Sequence, residues 1–505
     1  MKKIVYLSVF VLLVGSISCS REDVNEEQPV SLSQETDSVQ EVLSVAEINV
    51  IIDTALKTSG DFNWADVEDT VLWSALQHAG GVLTVGYGAE DVSQGKSNQQ
   101  LDIKNKIIAS VKSMEADLTS ASKEEDVLIY DDEFLTVIDV KVQQLTTVTA
   151  LRENKEIRYL EPAGYPYLQE STAAKSASSS GCGYEGESLY VSDYTIVSPN
   201  AKMPWNFTIH QIDQAWAYST GSNVTIGIVD TGLSPNQPLL GNQFNSGASS
   251  GRSVEKYGTY VDSFWPWSSK TDGPNDKCGH GTSMAAAAVA PRNNAGLPVG
   301  VAYNANLISY RAASSVVLSG YHDQKGVAKA ITNLANRSDV KIISMSMGHV
   351  FSVGRIKDAI RYAYNRNKLI FCAGGTSTSF TNFVGVIFPA NMDETVAVTG
   401  VEEGSGYQEC DTCHEGSKID FTMVMERSNN HHVPVLSYYN GQADYVGGSS
   451  VATASAAGIA ALVWSKYPGY SRDQVLQKLK STADLYPNKS NSFGYGNLNA
   501  LAAVQ

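Results

Sequence analysis

Apolar and polar positions change period along this chain. From Pro204 onward, short and nearly unbroken apolar runs at Val224–Val229, Leu307–Tyr310, Ile342–Met347, Leu369–Ala373 and Val396–Val401 read as strands. Between them, Val327–Asn336 and Ile356–Asn365 carry apolar residues at helical spacing. Strands that are apolar on both faces and alternate with helices predict an α/β fold, a doubly wound, mostly parallel sheet covered on both sides.

An earlier block, residues 46–165, has a different order. Val82–Tyr87 reads as a strand, and Leu101–Leu118 as a helix with Ile103, Ile107, Ile108 and Val111 on one face. Val127–Tyr130 and Phe134–Val140 are β-rich runs separated by Asp131, Asp132 and Glu133, a hairpin signal. A short helix at Leu145–Leu151 and a strand at Ile157–Leu160 complete a βαββαβ order, the small α+β ferredoxin-like arrangement. Ala46–His78 is helical in pattern and has no place in that motif.

Residues 166–203 form the expected linker. Within it, Gln169–Gly183 is rich in Ser, Ala and Gly without periodicity, a composition that orders poorly and is exposed to cleavage. At the other end, Lys2 and Lys3 precede an apolar run from Ile4 to Val14, then Gly15, Ser16 and Cys19. This is the pattern of a secretory signal over residues 1–19, shorter than a comfortable membrane span. Ser18-Cys19 resembles a bacterial lipoprotein processing site, with residues 20–45 as a polar tether; export is the expectation, either to the envelope with a lipid on Cys19 or, by plain signal cleavage that discards Cys19, to the outside of the cell. The catalytic part would then be residues 204–505.

Composition adds two constraints. A net charge of -16 leaves no basic surplus for phosphates, which argues against a nucleic-acid partner. With Cys19 set aside, Cys182, Cys278, Cys372, Cys410 and Cys413 are an odd set, so at least one thiol stays free or pairs with another chain.

Three short contexts carry chemistry. Asp230 ends the run VTIGIVD ahead of Thr231-Gly232, at the carboxyl end of a parallel strand where sites in such sheets collect. His280 lies between Gly279 and Gly281 and opens a small-residue helix. Ser450 follows Gly447-Gly448-Ser449 and opens a helix of Ala, Gly, Ser and Val. Read singly, these are a cap, a turn histidine and an N-cap serine. Together, VDTG (Val229–Gly232), GHGT (Gly279–Thr282) and GSSVATASAAG (Gly448–Gly458) resemble the Asp, His and Ser motifs of the subtilisin family, in that family's chain order. GVAYNANL (Gly300–Leu307), SMSMG (Ser344–Gly348) and FPANMDETVAVTGV (Phe388–Val401) extend the likeness over most of residues 204–505.

The resemblance implies a serine endopeptidase with Asp230, His280 and Ser450 as its triad, made as a zymogen. Residues 46–165 resemble the family's inhibitory propeptide, whose tail lies in the cleft. Peptide or protein substrates and the chain's own propeptide are the implied partners, with a membrane reached only through the lipid. Ser346, Met347, Gly348, Ala373 and Gly374 would line the substrate cleft. The oxyanion would be met by the Ser450 amide and the Ser449 hydroxyl. At the family's oxyanion asparagine this chain has Gly375, so Thr376, Ser377 or Asn382 is expected to replace the lost donor. The same motifs allow two other functions, a catalytically attenuated peptide-binding protein and an acyl transferase. No metal is specified: calcium is common in the family, yet no acidic loop here encodes a site.

One motif stands apart. Cys410-Asp411-Thr412-Cys413-His414 satisfies the c-type haem attachment pattern. Met423, Met425, His431 and His432 follow it, but zinc lacks a clear fourth ligand. A local disulfide or a pair of free thiols is the expectation for Cys410 and Cys413.

Overall fold

The computed structural model describes residues 41–89, 96–116, 127–167, 182–375, 385–404 and 406–505. The proposed signal, Cys19, residues 168–181 of the linker, and Thr376, Ser377 and Asn382 lie outside them.

The N-terminal block opens with helices α1 (Val45–Ser59) and α2 (Asp69–His78). Ser44 caps α1 through a capping box with Glu47, and Ile48, Ile52 and Leu56 give the helix one buried face. The helical piece that the sequence left unplaced therefore packs into the core of this block. Then come β1 (Val82–Tyr87), α3 (Asn98–Met114), β2 (Leu128–Asp131), β3 (Val137–Lys141), α4 (Leu145–Arg152) and β4 (Ile157–Pro162). They form a four-stranded antiparallel sheet in the order β2-β3-β1-β4. The hairpin turn is longer than its sequence suggests. Asp132 Oδ1 accepts from the amides of Phe134 and Leu135 and holds them out of β3.

A short hairpin, β5 (Tyr194–Val197) and β6 (Ala201–Pro204), leads into the main body. There β7 (Thr225–Asp230), β8 (Val254–Gly258), β9 (Asn306–Arg311), β10 (Val340–Met345), β11 (Leu369–Ala373), β12 (Val396–Glu402) and β13 (Phe421–Glu426) make a seven-stranded sheet in the order β13-β12-β11-β10-β7-β9-β8. Every neighbouring pair is parallel. The doubly wound sheet is thus as expected, with edge strands β8 and β13 that the apolar pattern had not marked. On one face lie α5 (His280–Val289) and α8 (Gly448–Lys466), both nearly all small residues. Helix α8 is apolar all round because it is buried all round, at the centre of the core. On the other face lie α6 (Tyr321–Asn336) and α7 (Gly354–Asn365), packed on the sheet.

The N-terminal block docks on α6 and α7. Arg158 makes a two-pronged ion pair with Asp358 (2.7 and 2.8 Å). Both oxygens of Glu161 accept from the Gly354 amide at the start of α7 (2.9 and 3.0 Å). Arg355 inserts among Thr84, Asp139 and Tyr321. The described part of the block ends at Tyr167, and the rest of the tail lies outside the described residues. Tyr165 and Tyr167 turn back onto α1, donating to Asn49 and Asp53, and Tyr167 packs on Phe351.

Candidate active site

Strand β7 ends at Asp230, and the turn after it brings the carboxylate against the start of α5. Asp230 Oδ1 accepts from Nδ1–H of His280 at 2.8 Å and from the Thr231 amide at 2.8 Å. Asp230 is fully buried and His280 nearly so. Glycine at 281 is required here, because a Cβ would collide with the backbone of Gly232. Burial alone pulls the His280 imidazole down. The charge and hydrogen bond of Asp230, with the charge of Asp276, outweigh it and hold the imidazole above its ordinary value.

Asp276 was not marked by the sequence. It is fully buried and accepts from the Thr231 hydroxyl, from the amides of Cys278, Gly279 and Thr282, and from the Thr282 hydroxyl. Its carboxylate ties the Asp230 turn to the His280 turn. The only sequence signal was an acid four positions before a histidine, which in isolation marks nothing. The same turn is fixed by a disulfide, Cys182–Cys278, which ties the linker to a point two residues from His280. Cys410 pairs with Cys413, so neither sulfur is available for a thioether or a zinc bond, and Cys372 is free and buried. Burial pushes the Cys372 thiol far up, leaving it inert.

Ser450 opens α8 after Gly447-Gly448, and its carbonyl accepts from the Ser346 hydroxyl at 3.0 Å. Ser346–Gly348 continue from β10 and Gly374-Gly375 from β11, so these segments meet Asp230 and Ser450 at the carboxyl edge of the sheet. The Gly348 amide donates to Val316 O and its carbonyl accepts from the Leu318 amide, both at 3.0 Å. The Gly348 amide is thus committed inside the fold, while its carbonyl keeps a second lone pair. Gly374 is likewise bonded inside the fold, to Val398 and Ile387.

Of the residues expected at the oxyanion site, Ser449 and Gly375 are bonded to each other, and Thr376, Ser377 and Asn382 lie outside the described residues. The Ser449 hydroxyl donates to Gly375 O at 2.6 Å, so its one proton is committed to the backbone. Gly375 itself has φ +133, and a Cβ there would run into the His414 ring. The space a side chain at position 375 would need is filled by His414. Gly375→Asn is therefore expected to lower the melting temperature and kcat together, with strain of about 1–3 kcal/mol from the backbone alone. Thermal melting with steady-state kinetics checks this; a raised kcat with an unchanged melt would contradict it.

The arrangement holds a carboxylate–imidazole pair, a serine at a helix N-terminus and backbone amides at the end of a parallel sheet, which is equipment for acyl transfer. Among the described residues no group of His, Cys, Asp and Glu is placed to hold a metal ion.

Comparison with known proteins agrees with this geometry. The model of the subtilase family matches residues 221–496. Subtilisin DY of Bacillus licheniformis is 30% identical over 311 residues, covering 60% of this chain and 99% of that protein. Thermitase of Thermoactinomyces vulgaris is 27% identical over 295 residues, covering 58% of this chain and 93% of that protein. Among solved structures, fervidolysin from Fervidobacterium pennivorans, a keratinolytic enzyme related to subtilisin, superimposes with a TM-score of 0.57 at 17% identity. That likeness of fold covers 84% of this chain, reaching beyond residues 204–505, and this chain spans 61% of the fervidolysin chain.

Proposed function

The chain belongs to the subtilase family and is a subtilisin-like serine protease, and on that footing we propose that it is an exported endopeptidase, made as a zymogen, that works through Asp230, His280 and Ser450. The observation that carries the assignment is the buried 2.8 Å bond from His280 Nδ1–H to Asp230. With Nδ1 bound to the carboxylate, Nε2 is left as the base for the Ser450 hydroxyl.

Ser450 Oγ attacks the scissile carbonyl as its proton passes to Nε2 of His280. The imidazolium, stabilised by Asp230, returns that proton to the leaving amine, and water then hydrolyses the acyl-enzyme by the same route. The oxyanion is met by backbone amides, Ser450 N–H among them. Ser450→Ala is expected to abolish hydrolysis of a chromogenic peptide and labelling by a fluorophosphonate. Autocatalytic maturation would stop as well, leaving the full-length chain. Labelling that survives the substitution would reject the triad.

The N-terminal block supports the zymogen reading, since it docks through buried ion pairs on helices next to the substrate strand. Cleavage between about Tyr165 and Gly183 would free it. The Cys182–Cys278 bridge makes the side of the cut matter. A cut before Cys182 releases the block, and a cut after it leaves the block covalently tied beside His280. Export through residues 1–19 and a lipid on Cys19 complete the proposal. Cys19→Ala should move the protein from the membrane to the soluble fraction, and unchanged membrane association would reject the lipid.

A further inference from the structure

The Cys410–His414 motif has no part in the chemistry above, yet it lies against the Gly448 turn just before Ser450. It is a tight turn, with the Cys413 amide donating to Cys410 O at 3.0 Å and the Cys410–Cys413 disulfide closing it. Both cysteines are buried. On its inner side the turn is anchored to the sheet. The Asp411 amide donates to Glu426 Oε2 on β13 at 2.9 Å. The sulfurs press on Gly400 of β12, where a Cβ would lie 2.6 Å from Cys413 Sγ and 2.8 Å from Cys410 Sγ.

On its outer side the same turn touches both backbone segments that bracket Ser450. Thr412 lies against Gly448, where a Cβ would sit 2.8 Å from its Oγ1 and 2.9 Å from its carbonyl oxygen. His414 fills the space that a side chain on Gly375 would need. Ser449 bonds the two segments to each other through Gly375 O. At three glycines, 375, 400 and 448, this one turn leaves no room for a side chain.

We propose that the disulfide-closed Cys410–His414 turn is a positioning element for the reaction, with Thr412 backing the turn that aims Ser450 and His414 holding Gly375 where the family has an asparagine. His414 acts as packing with a fixed tautomer. Its Nδ1–H donates to Gly385 O at 2.9 Å, and burial lowers its proton affinity, so the ring is neutral with that donor already committed. It is a positioning residue and does not itself donate to the oxyanion. The disulfide removes the freedom the turn would otherwise have, so displacement of the turn would propagate directly into the oxyanion geometry.

This inference rests on the Asp230–His280–Ser450 reading, and the test separates the two. The full chain, matured, is titrated with a fluorophosphonate to count competent Ser450. KM and kcat are then measured on a chromogenic tetrapeptide anilide, and Ki on the matching peptidyl boronic acid, whose tetrahedral adduct needs the oxyanion site. His414→Ala is expected to raise the boronate Ki and lower kcat by about 10- to 100-fold, with KM nearly unchanged. His414→Gln, which refills the space, should recover part of the loss. The paired Cys410→Ser and Cys413→Ser change should act in the same direction as His414→Ala. If the parent does not label, the triad reading fails. If it labels, and boronate Ki and KM move together or neither moves in folded variants, the positioning role is overturned.

Discussion

Asp230→Asn is expected to lower kcat by about 10⁴-fold while leaving the fold intact, a size of loss known for the triad aspartate in subtilisin itself. The amide is nearly isosteric with the carboxylate and can still accept from the Thr231 amide, so the turn after β7 keeps its shape. The charge facing the imidazolium at 2.8 Å is lost, in a site where both groups are buried and water does not replace it. The acid limb of the pH profile gives a second readout. His280 must be neutral to take the Ser450 proton, so activity rises as pH climbs through the imidazole pKa. Because Asp230 and Asp276 outweigh burial, that limb should lie above 6.5, the ordinary histidine value, in the parent. Without the Asp230 charge, burial still pulls the imidazole down and only Asp276 opposes it, so the limb should shift to lower pH. A kcat within tenfold of the parent, with an unmoved limb, would contradict the assignment.

The second large effect is at the interface of the N-terminal block. Asp139 on β3 is fully buried and accepts from Thr84 and from Tyr321 on α6, both at 2.8 Å, while pairing with Arg355 of α7. Asp139→Ala leaves the buried Arg355 guanidinium without a counter-charge. Breaking one partner of such a pair costs about 3–5 kcal/mol. In a Ser450→Ala background, where self-cleavage cannot intervene, this should appear as faster hydrogen exchange across Val42–Pro162 with little change in α8. Replacing both charges together, Asp139→Leu with Arg355→Met, should restore much of the protection, because no charge is then stranded. Exchange that stays at the parent's level in Asp139→Ala would mean the block is held by its apolar contacts alone.

Much of this molecule is legible in its residues. Near-continuous apolar strands such as Ile342–Met347 can only be central in a sheet covered on both faces, and β10 lies in the middle of one. The helix that Ser450 opens, rich in Ala, Gly, Ser and Val, is buried along nearly its whole length. Asp230, His280 and Ser450 could be proposed from sequence because their glycine-flanked motifs are local, and the structure pairs the first two across a 2.8 Å bond. Strand β13 was missed because FTMVME carries no turn signals of its own and becomes a strand only by pairing with β12.

What the sequence alone determined is what depends on neighbours in the chain: the periods of the elements, the caps, the turn glycines and the reactive residue types. What tertiary structure decided is what depends on residues far apart. Only the fold shows that Asp276 joins the turns of Asp230 and His280, because an acid becomes a hub through the donors that converge on it. Only the fold turns Ser449 from a supposed oxyanion donor into a brace for Gly375, since a hydroxyl has one proton and its nearest acceptor takes it. The absence of asparagine at 375 read as a missing group in one dimension. In three dimensions the space is already full, occupied by His414, whose side chain comes from a turn 39 positions along the chain.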